Sequence, residues 1–223
     1  FRYFERPDTF GVMGRIIGWN DEVIQDGAKY PSFQNAKIKM NLNYILENDD
    51  EMKNGLYSMY VSGANALVDR SRFLQLGGFN ELFSPFYVED YDLSLRAWRM
   101  GWKCYYEHFA ICRHKTSTTI KSNSRKQFIR TITNRNKWFL HAIHLTGFQK
   151  FLWMMQMMFE VLFQTLLLKF YYTKAFRMFI ADYGKVRSSR NQLKALGNGQ
   201  LKSAREVAGL IRASVKDKKI KIF

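Results

Sequence analysis

The first half of the chain alternates short apolar runs with polar and glycine-containing turns, which predicts a sheet with few helices. Strands are predicted over residues 11–17, 57–61, 64–68, 102–106 and 109–113. A helix is predicted over 89–100, because acids occupy its first turn, arginines its last, and Gly101 follows its end. A further helix is indicated over 36–46, and a single helical turn over 72–76 has Ser71 as its predicted N-cap.

From Ser122 onward the pattern is helical throughout. Residues 151–170 are apolar, except that Gln156, Glu160 and Gln164 recur every four residues as one polar stripe and Lys169 lies near the end. A membrane-spanning helix disfavours a central acid by about 2.5–3.5 kcal/mol. The stripe therefore favours burial in a helical hairpin, or a position at a membrane interface.

The following helix is amphipathic. Its apolar face comprises Tyr172, Phe176, Phe179, Ile180 and Tyr183, and its opposite face carries Lys174, Arg177 and Lys185. This arrangement is typical of a helix that lies in the plane of a membrane surface. The alternative is a helix packed on the domain with a solvated basic face. We expect Lys174, Phe176, Arg177, Phe179 and Lys185 to contact the membrane.

Composition narrows the class of protein. The 223 residues suit one domain, or one domain with an appendage, and 47% hydrophobic with 24% charged residues excludes wholesale disorder. Only 3 prolines and 2 cysteines exclude collagen-like, proline-rich and disulfide-scaffold proteins. Cys104 and Cys112 form no C-x-x-C pair, so two reduced core thiols in a cytosolic chain are expected.

The charge is concentrated in the second half. Residues 1–120 contain 14 basic and 15 acidic side chains, whereas residues 121–223 contain 21 basic and 4 acidic ones. An anionic partner would therefore meet the predicted helical extension, 121–223, rather than the predicted sheet domain, 1–120. A basic nucleic-acid-binding module is one alternative, but no RNP-type, zinc-finger or helix-turn-helix pattern occurs. The apolar helix faces opposite the charges favour a lipid surface as the partner, and no nucleic-acid partner is expected.

The densest cluster of reactive side chains is Glu89-Asp90-Tyr91-Asp92. Carboxylates at a helix start are often caps, but capping does not explain the aromatic approach over residues 77–87, which is typical of a sugar-binding wall. Three acids in four residues cannot all point one way on a helix, so one can face a cleft while another packs. His114 ends a predicted strand 24 residues after Asp90 and is a candidate metal ligand or oxyanion contact.

Together these motifs resemble the family 2 inverting glycosyltransferases of bacterial polysaccharide and lipid-linked glycan synthesis. The matching segments are Ser62-Gly63-Ala64-Asn65, Gly77-Gly78-Phe79-Asn80-Glu81, Glu89 to Arg96, Gly101-Trp102 and His114. Their order matches the second half of the nucleotide-sugar-transferase (GT-A) fold, over about residues 11–138. The resemblance implies an α/β fold: a mixed-sheet C-terminal part of such a domain, followed by the amphipathic helical extension.

The resemblance also implies roles for individual residues. Asp90, beside Glu89, would be the general base that deprotonates the acceptor hydroxyl, and His114 would help hold a divalent Mn or Mg ion on the donor diphosphate. The remaining substrate contacts would be Ser62, Gly63, Ala64, Gly77, Gly78, Asp92 and Arg135. Arg135 begins a basic and aromatic segment, Arg135-Asn136-Lys137-Trp138, common in members with lipid-linked acceptors.

The sequence also departs from the family pattern. The nucleotide-binding half of the family fold, with the Asp-x-Asp that holds most of the metal, is not in this sequence. The chain is therefore expected to be the C-terminal part of the enzyme and inactive alone. Gln127-Phe-Ile-Arg130 is followed by Thr131 rather than Trp, which favours addition of a single sugar. The expected location is the cytoplasmic face of the plasma membrane. A non-catalytic membrane-docking domain remains the alternative.

Overall fold

A computed structural model describes residues 2–115 and 125–223. The first segment contains 3-10 turns at Arg2–Glu5 and Glu81–Phe83, strands β1 Thr9–Gly18, β2 Ile24–Asp26, β3 Ser32–Gln34, β4 Lys37–Lys39, β5 Tyr44–Leu46, β6 Leu56–Tyr57, β7 Ala66–Val68 and β8 Lys103–His114, and helices α1 Asp49–Met52, α2 Arg70–Gln75 and α3 Glu89–Arg99. The second contains α4 Lys126–His144, α5 Gly147–Leu166, α6 Phe170–Ala181, α7 Tyr183–Leu196, α8 Ala204–Ala213 and β9 Ile220–Ile222.

The main sheet is mixed and has the order β2-β1-β8-β6, with β7 also paired to β1. Strand β1 runs parallel to β8 and antiparallel to β2 and β7, while β6 runs antiparallel to β8. The register of β1 against β8 breaks between Gly14 and Arg15, which pair with Glu107 and Ile111. This irregularity explains why the sequence pattern predicts two strands, 102–106 and 109–113, where one irregular strand forms.

The predicted fold class, an α/β mixed sheet followed by helices, is confirmed. Helix α4 packs against α6 and α7, and α3 packs against β8 and α8. One apolar core includes side chains from both described segments, such as Phe10 of β1, Trp98 of α3 and Phe139 of α4. The predicted start of the helical half at Ser122 and the predicted domain boundary at residue 120 lie outside the described residues.

The prediction of a helix over 36–46 is wrong. These residues form β4 and β5, whose partners are β3 and, near the other end of the described chain, β9. Within β5 the buried side chains Tyr44 and Leu46 are two residues apart, and in β4 the buried Ile38 lies between two partly exposed lysines, an alternation that suits a pleated strand. The pairing with β9 could not be anticipated from local pattern, because it joins residues distant in sequence. Helix α2 is capped by Asp69, whose side chain accepts from the Arg72 amide at 2.8 Å, and not by Ser71.

Helix α3 is held by a fully buried charge cluster centred on Asp92. Its Oδ2 accepts from Arg96 Nε at 2.8 Å, and its Oδ1 lies 2.8 Å from His144 Nε2 of α4. Burial alone would raise the pKa of Asp92, but the charge of Arg96 and the hydrogen bond from His144 outweigh it, and the pKa is lowered. Burial lowers the pKa of His144 to about 4, so the neutral ring donates through Nε2. Asp92, predicted to bind substrate, is therefore a structural residue.

Arg96 extends this cluster to the glycine turn. Its guanidinium donates to the carbonyls of Leu76 at 2.7 Å and Gly78 at 2.8 Å. Gly77 and Gly78 both have a positive φ, of 77° and 69°, a conformation that suits glycine. The two glycines, predicted to shape the acceptor side, thus form a tight turn bound to the back of α3.

We predict that Asp92→Ala destabilises the protein by about 3–5 kcal/mol, because it leaves Arg96 buried without its partner. The stabilisation by Asp92 is present above its unfolded pKa and is lost as the pH falls through its lower folded pKa. Urea unfolding at neutral pH measures the difference. Lys53→Ala is the control, since its ion pair with Asp50 is exposed and should contribute less than about 1 kcal/mol. Equal losses in the two variants would contradict the prediction.

Candidate active site

A cavity of about 570 Å³ lies where α3 meets the sheet and α4. Four residues predicted from the sequence line it, namely Ser62, Ala64, Asp90 and His114. The structure therefore brings together side chains that are separated by more than fifty residues in sequence. Gly77, Gly78, Asp92 and Arg135 do not line this cavity, and Gly77 borders a separate cavity next to α7.

Asp90 is the second residue of α3, and its carboxylate meets the loop that contains Gly63. The Gly63 amide donates to Asp90 Oδ2 at 3.3 Å, and the Tyr91 amide donates to Oδ1 at 2.8 Å. Burial raises the pKa of Asp90 to about 6, with a further contribution from the charge of Glu89, while the Gly63 hydrogen bond opposes the shift. A carboxylate with this pKa is ionised at neutral pH and accepts a proton more readily than an ordinary aspartate.

Ser94, one turn after Asp90 on α3, joins the helix to the same loop. Its hydroxyl donates to the Asp90 carbonyl at 2.7 Å and accepts from the Val61 amide at 3.0 Å. The loop 61–64 is thus fixed against the helix start at two points, Ser94 and Asp90. The sequence pattern gave no signal for Ser94, because a serine inside a helix commonly bonds to its own backbone.

The backbone just before Asp90 is strained. Tyr87 and Val88 have φ values of 71° and 79°, in the left-handed region that non-glycine residues rarely adopt. Asn136 of α4 stabilises this conformation, since its buried amide donates to the carbonyls of Phe86 and Tyr87 at 2.9 Å. Strain of this kind, maintained by neighbouring hydrogen bonds, often occurs beside reactive groups.

Arg135, predicted to bind substrate, supports the same loop from beneath. Its guanidinium donates to the Ser84 carbonyl and, from Nε at 3.0 Å, to the Asn136 side chain. The residue is only 6% exposed. Arg135 therefore positions the segment that leads to Asp90. It also borders a separate cavity beside Asp182 and Lys185, so its direct contact with substrate stays a prediction.

Asp26 is a second carboxylate in the cavity, and the sequence pattern missed it in a polar, irregular stretch. Tyr60 donates to Asp26 Oδ2, and Lys29 Nζ lies 2.8 Å from Oδ1 and 2.7 Å from Asn43 Oδ1. The ammonium group of Lys29 compensates the charge of Asp26. Asp90 is therefore the cavity carboxylate that has no cation paired with it among the described residues.

Glu89, predicted as a catalytic partner, does not line the cavity. Its Oε2 is buried and has no hydrogen-bond partner in the described part of the chain. Glu89 acts on Asp90 through its negative charge, which helps to raise the Asp90 pKa. Glu89 therefore modifies the basicity of Asp90 and is not itself a carboxylate of the cavity.

His114 ends β8, where it pairs with Gly18 of β1, and its side chain reaches the cavity. Within residues 2–115 and 125–223, no three His, Cys, Asp or Glu side chains cluster closely enough to hold a metal ion. The described residues thus offer single donors and not a complete metal site. His114 as a metal ligand stays a prediction.

The helix predicted to lie on a membrane packs instead on the protein. Phe179 of α6 is buried against Trp138, Phe139 and Trp153, and half-buried Phe176 contacts Trp138. These two rings are therefore parts of the core and its margin, which corrects the prediction that they contact lipid. Lys174, Arg177 and Lys185 are exposed, as a solvated basic face requires.

The preceding helix, α5, buries Trp153 and Met157 but leaves most of its apolar side chains exposed. Its polar stripe points inward, with Glu160 paired to Lys37 of β4 and the Oε1 atoms of Gln156 and Gln164 buried. Its outer face, called here the α5 exterior, comprises Phe148, Phe151, Leu152, Met155, Phe159, Leu162 and Leu166 and is 42–72% exposed. A contiguous apolar surface of this kind is unusual on a soluble protein. Among the described residues, no helix is long and apolar enough to cross a membrane.

The model of the family described as glycosyl transferase family group 2 matches residues 23–183. The match covers more than two thirds of the chain, so the chain belongs to this family of glycosyltransferases. No curated protein matches the chain.

A solved structure described as "Crystal structure of GalNAc-T7 with UDP, GalNAc and Mn2+" resembles the chain with a TM-score of 0.49 and 12% identity. The alignment covers 94% of this chain and 36% of that one, so the chain spans about a third of that protein's length.

We predict that Asp90→Asn stabilises the folded protein at neutral pH by about 3 kcal/mol. The raised pKa of Asp90 means that folding becomes less favourable as the pH rises from the unfolded pKa to about 6, and asparagine removes this cost. Urea unfolding at pH 7.5 and pH 4 measures it, and the gain should shrink at pH 4. Exposed Asp217→Asn is the control, with a change below about 0.5 kcal/mol. A less stable Asp90→Asn protein at pH 7.5 would contradict the prediction.

Proposed function

We propose that the chain supplies the acceptor side and the general base of an enzyme that transfers one sugar from a nucleotide-sugar donor to a glycan acceptor, with inversion. The observation that carries the proposal is Asp90, a carboxylate of raised pKa held by the Gly63 amide inside the cavity. Membership of the glycosyl transferase family group 2 supports sugar transfer in general.

The proposed reaction is a single displacement. The acceptor oxygen attacks the anomeric carbon while its proton passes to Asp90, and the bond from that carbon to the diphosphate oxygen breaks. One base suffices for such a step, and Asp26 is already engaged by Tyr60 and Lys29. A single ionised carboxylate that can accept the acceptor proton supports an inverting displacement.

A divalent metal ion, Mn or Mg, would neutralise the departing diphosphate. His114, which lines the cavity, would contribute one ligand. The remaining ligands would come from an Asp-x-Asp outside this sequence. For the same reason, we expect the 223 residues alone not to transfer sugar, and the activity to belong to the intact protein.

We further propose that the acceptor is lipid-linked and that the protein lies on the cytoplasmic face of an anionic plasma membrane. The support is the α5 exterior together with the net basic charge of residues 121–223. Apolar side chains would enter the interface, while exposed Lys174 and Arg177 on the next helix would meet anionic head groups. The membrane contact is thus assigned to the outer face of α5 and not to the rings of α6.

Asp90→Asn in the intact protein should lower turnover at least 100-fold, which is about the upper range for loss of a general base. For the wild type, kcat/KM should fall about tenfold per pH unit below pH 6, because Asp90 must be ionised. Nucleoside diphosphate release from a panel of UDP-, GDP- and dTDP-sugars, with a prenyl-diphosphate-linked sugar as acceptor, measures both. Asp217→Asn should keep full turnover. Wild-type rates in Asp90→Asn would exclude Asp90 as the base.

Changing Met155, Phe159 and Leu162 to Gln should abolish flotation with phosphatidylglycerol-containing vesicles at every salt concentration. Each buried side chain contributes about 1.5–3 kcal/mol of apolar transfer energy, which salt does not screen. Lys174→Glu with Arg177→Glu should weaken flotation chiefly at low salt, since each basic residue contributes about 1 kcal/mol.

The matched control for this experiment changes exposed Leu74, Leu196 and Leu210 to Gln, away from α5. This variant should float like the wild type. If the α5 variant also floats like the wild type, the membrane proposal fails. A parallel oligonucleotide gel shift should show no binding; tight binding that the Lys174 and Arg177 changes remove would favour the nucleic-acid alternative.

A further inference from the structure

A second cavity, of about 460 Å³, adjoins the one that contains Asp90. Met40, Asn41 and Lys137 line both cavities, so no separate element stands between them. The second cavity is formed by β4, the residues that follow it, and the facing sides of α4, α5 and α6. We call it the lysine cavity, after Lys37, Lys39 and Lys137 in its lining.

The charges of the lysine cavity do not balance. Glu160 is the only carboxylate among its described lining residues, and it is paired with Lys37. Lys39 and Lys137 have no ion-pair partner among the described residues. The pKa of Lys137 is lowered, first by burial and then by the nearby charge of Lys37, as expected for a cation that lacks a counter-ion.

The other lining groups are suited to an anion that carries an apolar chain. Gln34, Asn41 and Asn134 offer side-chain amide donors, while Trp138 and Tyr172 provide aromatic surface. Lysine ammonium groups and amides are common ligands of phosphate oxygens. Among the described residues, the side-chain amides of Gln34, Asn41 and Asn134 donate to no other group of the protein, whereas Trp138 also packs in the core against Phe179.

The position of the lysine cavity relative to α5 indicates how a lipid-linked acceptor would run through the protein. Glu160 lines it from the inner face of α5, and the opposite face of the same helix is the α5 exterior. The cavity therefore lies between the Asp90 carboxylate and the surface proposed to meet the membrane. A lipid-linked acceptor has its groups in the same order: apolar chain, phosphate, and sugar hydroxyl.

We propose that the lysine cavity binds the phosphate or diphosphate group of the lipid-linked acceptor through Lys39 and Lys137. This inference rests on the proposed function and extends it by assigning the acceptor's anionic group to named residues. Lys137, which borders both cavities, would contact the phosphate next to the sugar. The sugar would then extend into the Asp90 cavity with its hydroxyl toward the base.

Isothermal titration with inorganic pyrophosphate, farnesyl diphosphate and uridine diphosphate tests the proposal. The wild type should bind pyrophosphate and farnesyl diphosphate. The double variant Lys39→Gln, Lys137→Gln should bind both at least tenfold more weakly, equivalent to about 1.4 kcal/mol. Lys39→Arg with Lys137→Arg keeps the charges and should stay within threefold of the wild type. Circular dichroism verifies that each variant is folded.

The control variant Lys53→Gln, Lys216→Gln removes the same charge from exposed positions and should bind like the wild type. Absence of pyrophosphate and farnesyl diphosphate binding by the wild type would overturn the proposal. Equal binding by the wild type and the Gln variant would overturn it too. A loss confined to uridine diphosphate would assign the lysine cavity to the donor and also overturn it.

A failure of Asp90 as the general base would give a different result from a failure of the lysine cavity as the anion site. Asp90→Asn should keep its affinity for farnesyl diphosphate, because Asp90 is assigned to proton transfer and not to the anion. If farnesyl diphosphate binds through Lys39 and Lys137 but Asp90→Asn retains full turnover, the subsite stands and the general base is wrong. If Asp90→Asn is inactive and the lysine changes leave binding intact, the base stands and the subsite fails.

Discussion

The buried cluster of Asp92, Arg96 and His144 determines where the active-site candidate can form. It links helix α3 to α4 through His144 and to the Gly77-Gly78 turn through Arg96. With the helix fixed on that side, Asp90, two residues before Asp92, points to a different face and reaches the cavity. The burial of one carboxylate as a structural anchor thus leaves its neighbour available for chemistry.

Local pattern was sufficient for features that depend on nearby residues. The α3 helix and strand β1 follow from charged helix ends and apolar runs, whereas a shared cleft for Ser62, Asp90 and His114 was implied only by the family resemblance. Local pattern was insufficient where partners distant in sequence determine the secondary structure. The region 36–46 becomes strand through its pairing with β3 and β9.

The roles of individual side chains could not be predicted from the sequence for the same reason. Arg135 and Asp92 are the residue types that bind sugars and phosphates, yet their partners lie within the protein itself. Phe179 belongs to an amphipathic helix whose apolar face could meet either lipid or protein, and only the presence of Trp138 opposite it decides. Asp26 and Asn136 carry no local signal, since their importance comes from the groups that folding brings to them.

The polarity of α5 is unusual because two demands act on one helix. Its inner face carries Glu160, which pairs with Lys37, beside the buried Trp153 and Met157, while most of its apolar residues are left outside. In water this arrangement exposes surface that would normally drive association. At a lipid interface the same arrangement becomes favourable. The environment of the chain therefore determines whether the α5 exterior promotes aggregation or membrane attachment.

The pairing of β5 with β9 has a consequence for how the molecule assembles. Asn43, next to β5, exchanges backbone hydrogen bonds with Phe223 at 2.9 and 3.0 Å, and its side chain accepts from Lys29, the partner of Asp26. Contacts between such distant segments form late in folding, because closing a long loop costs entropy before the contact compensates it. The cavity edge at Asp26 and Lys29 is therefore joined, through Asn43, to a pairing that costs more loop-closure entropy than one between neighbouring strands, and a change at β9 would act on Lys29 through the same side chain.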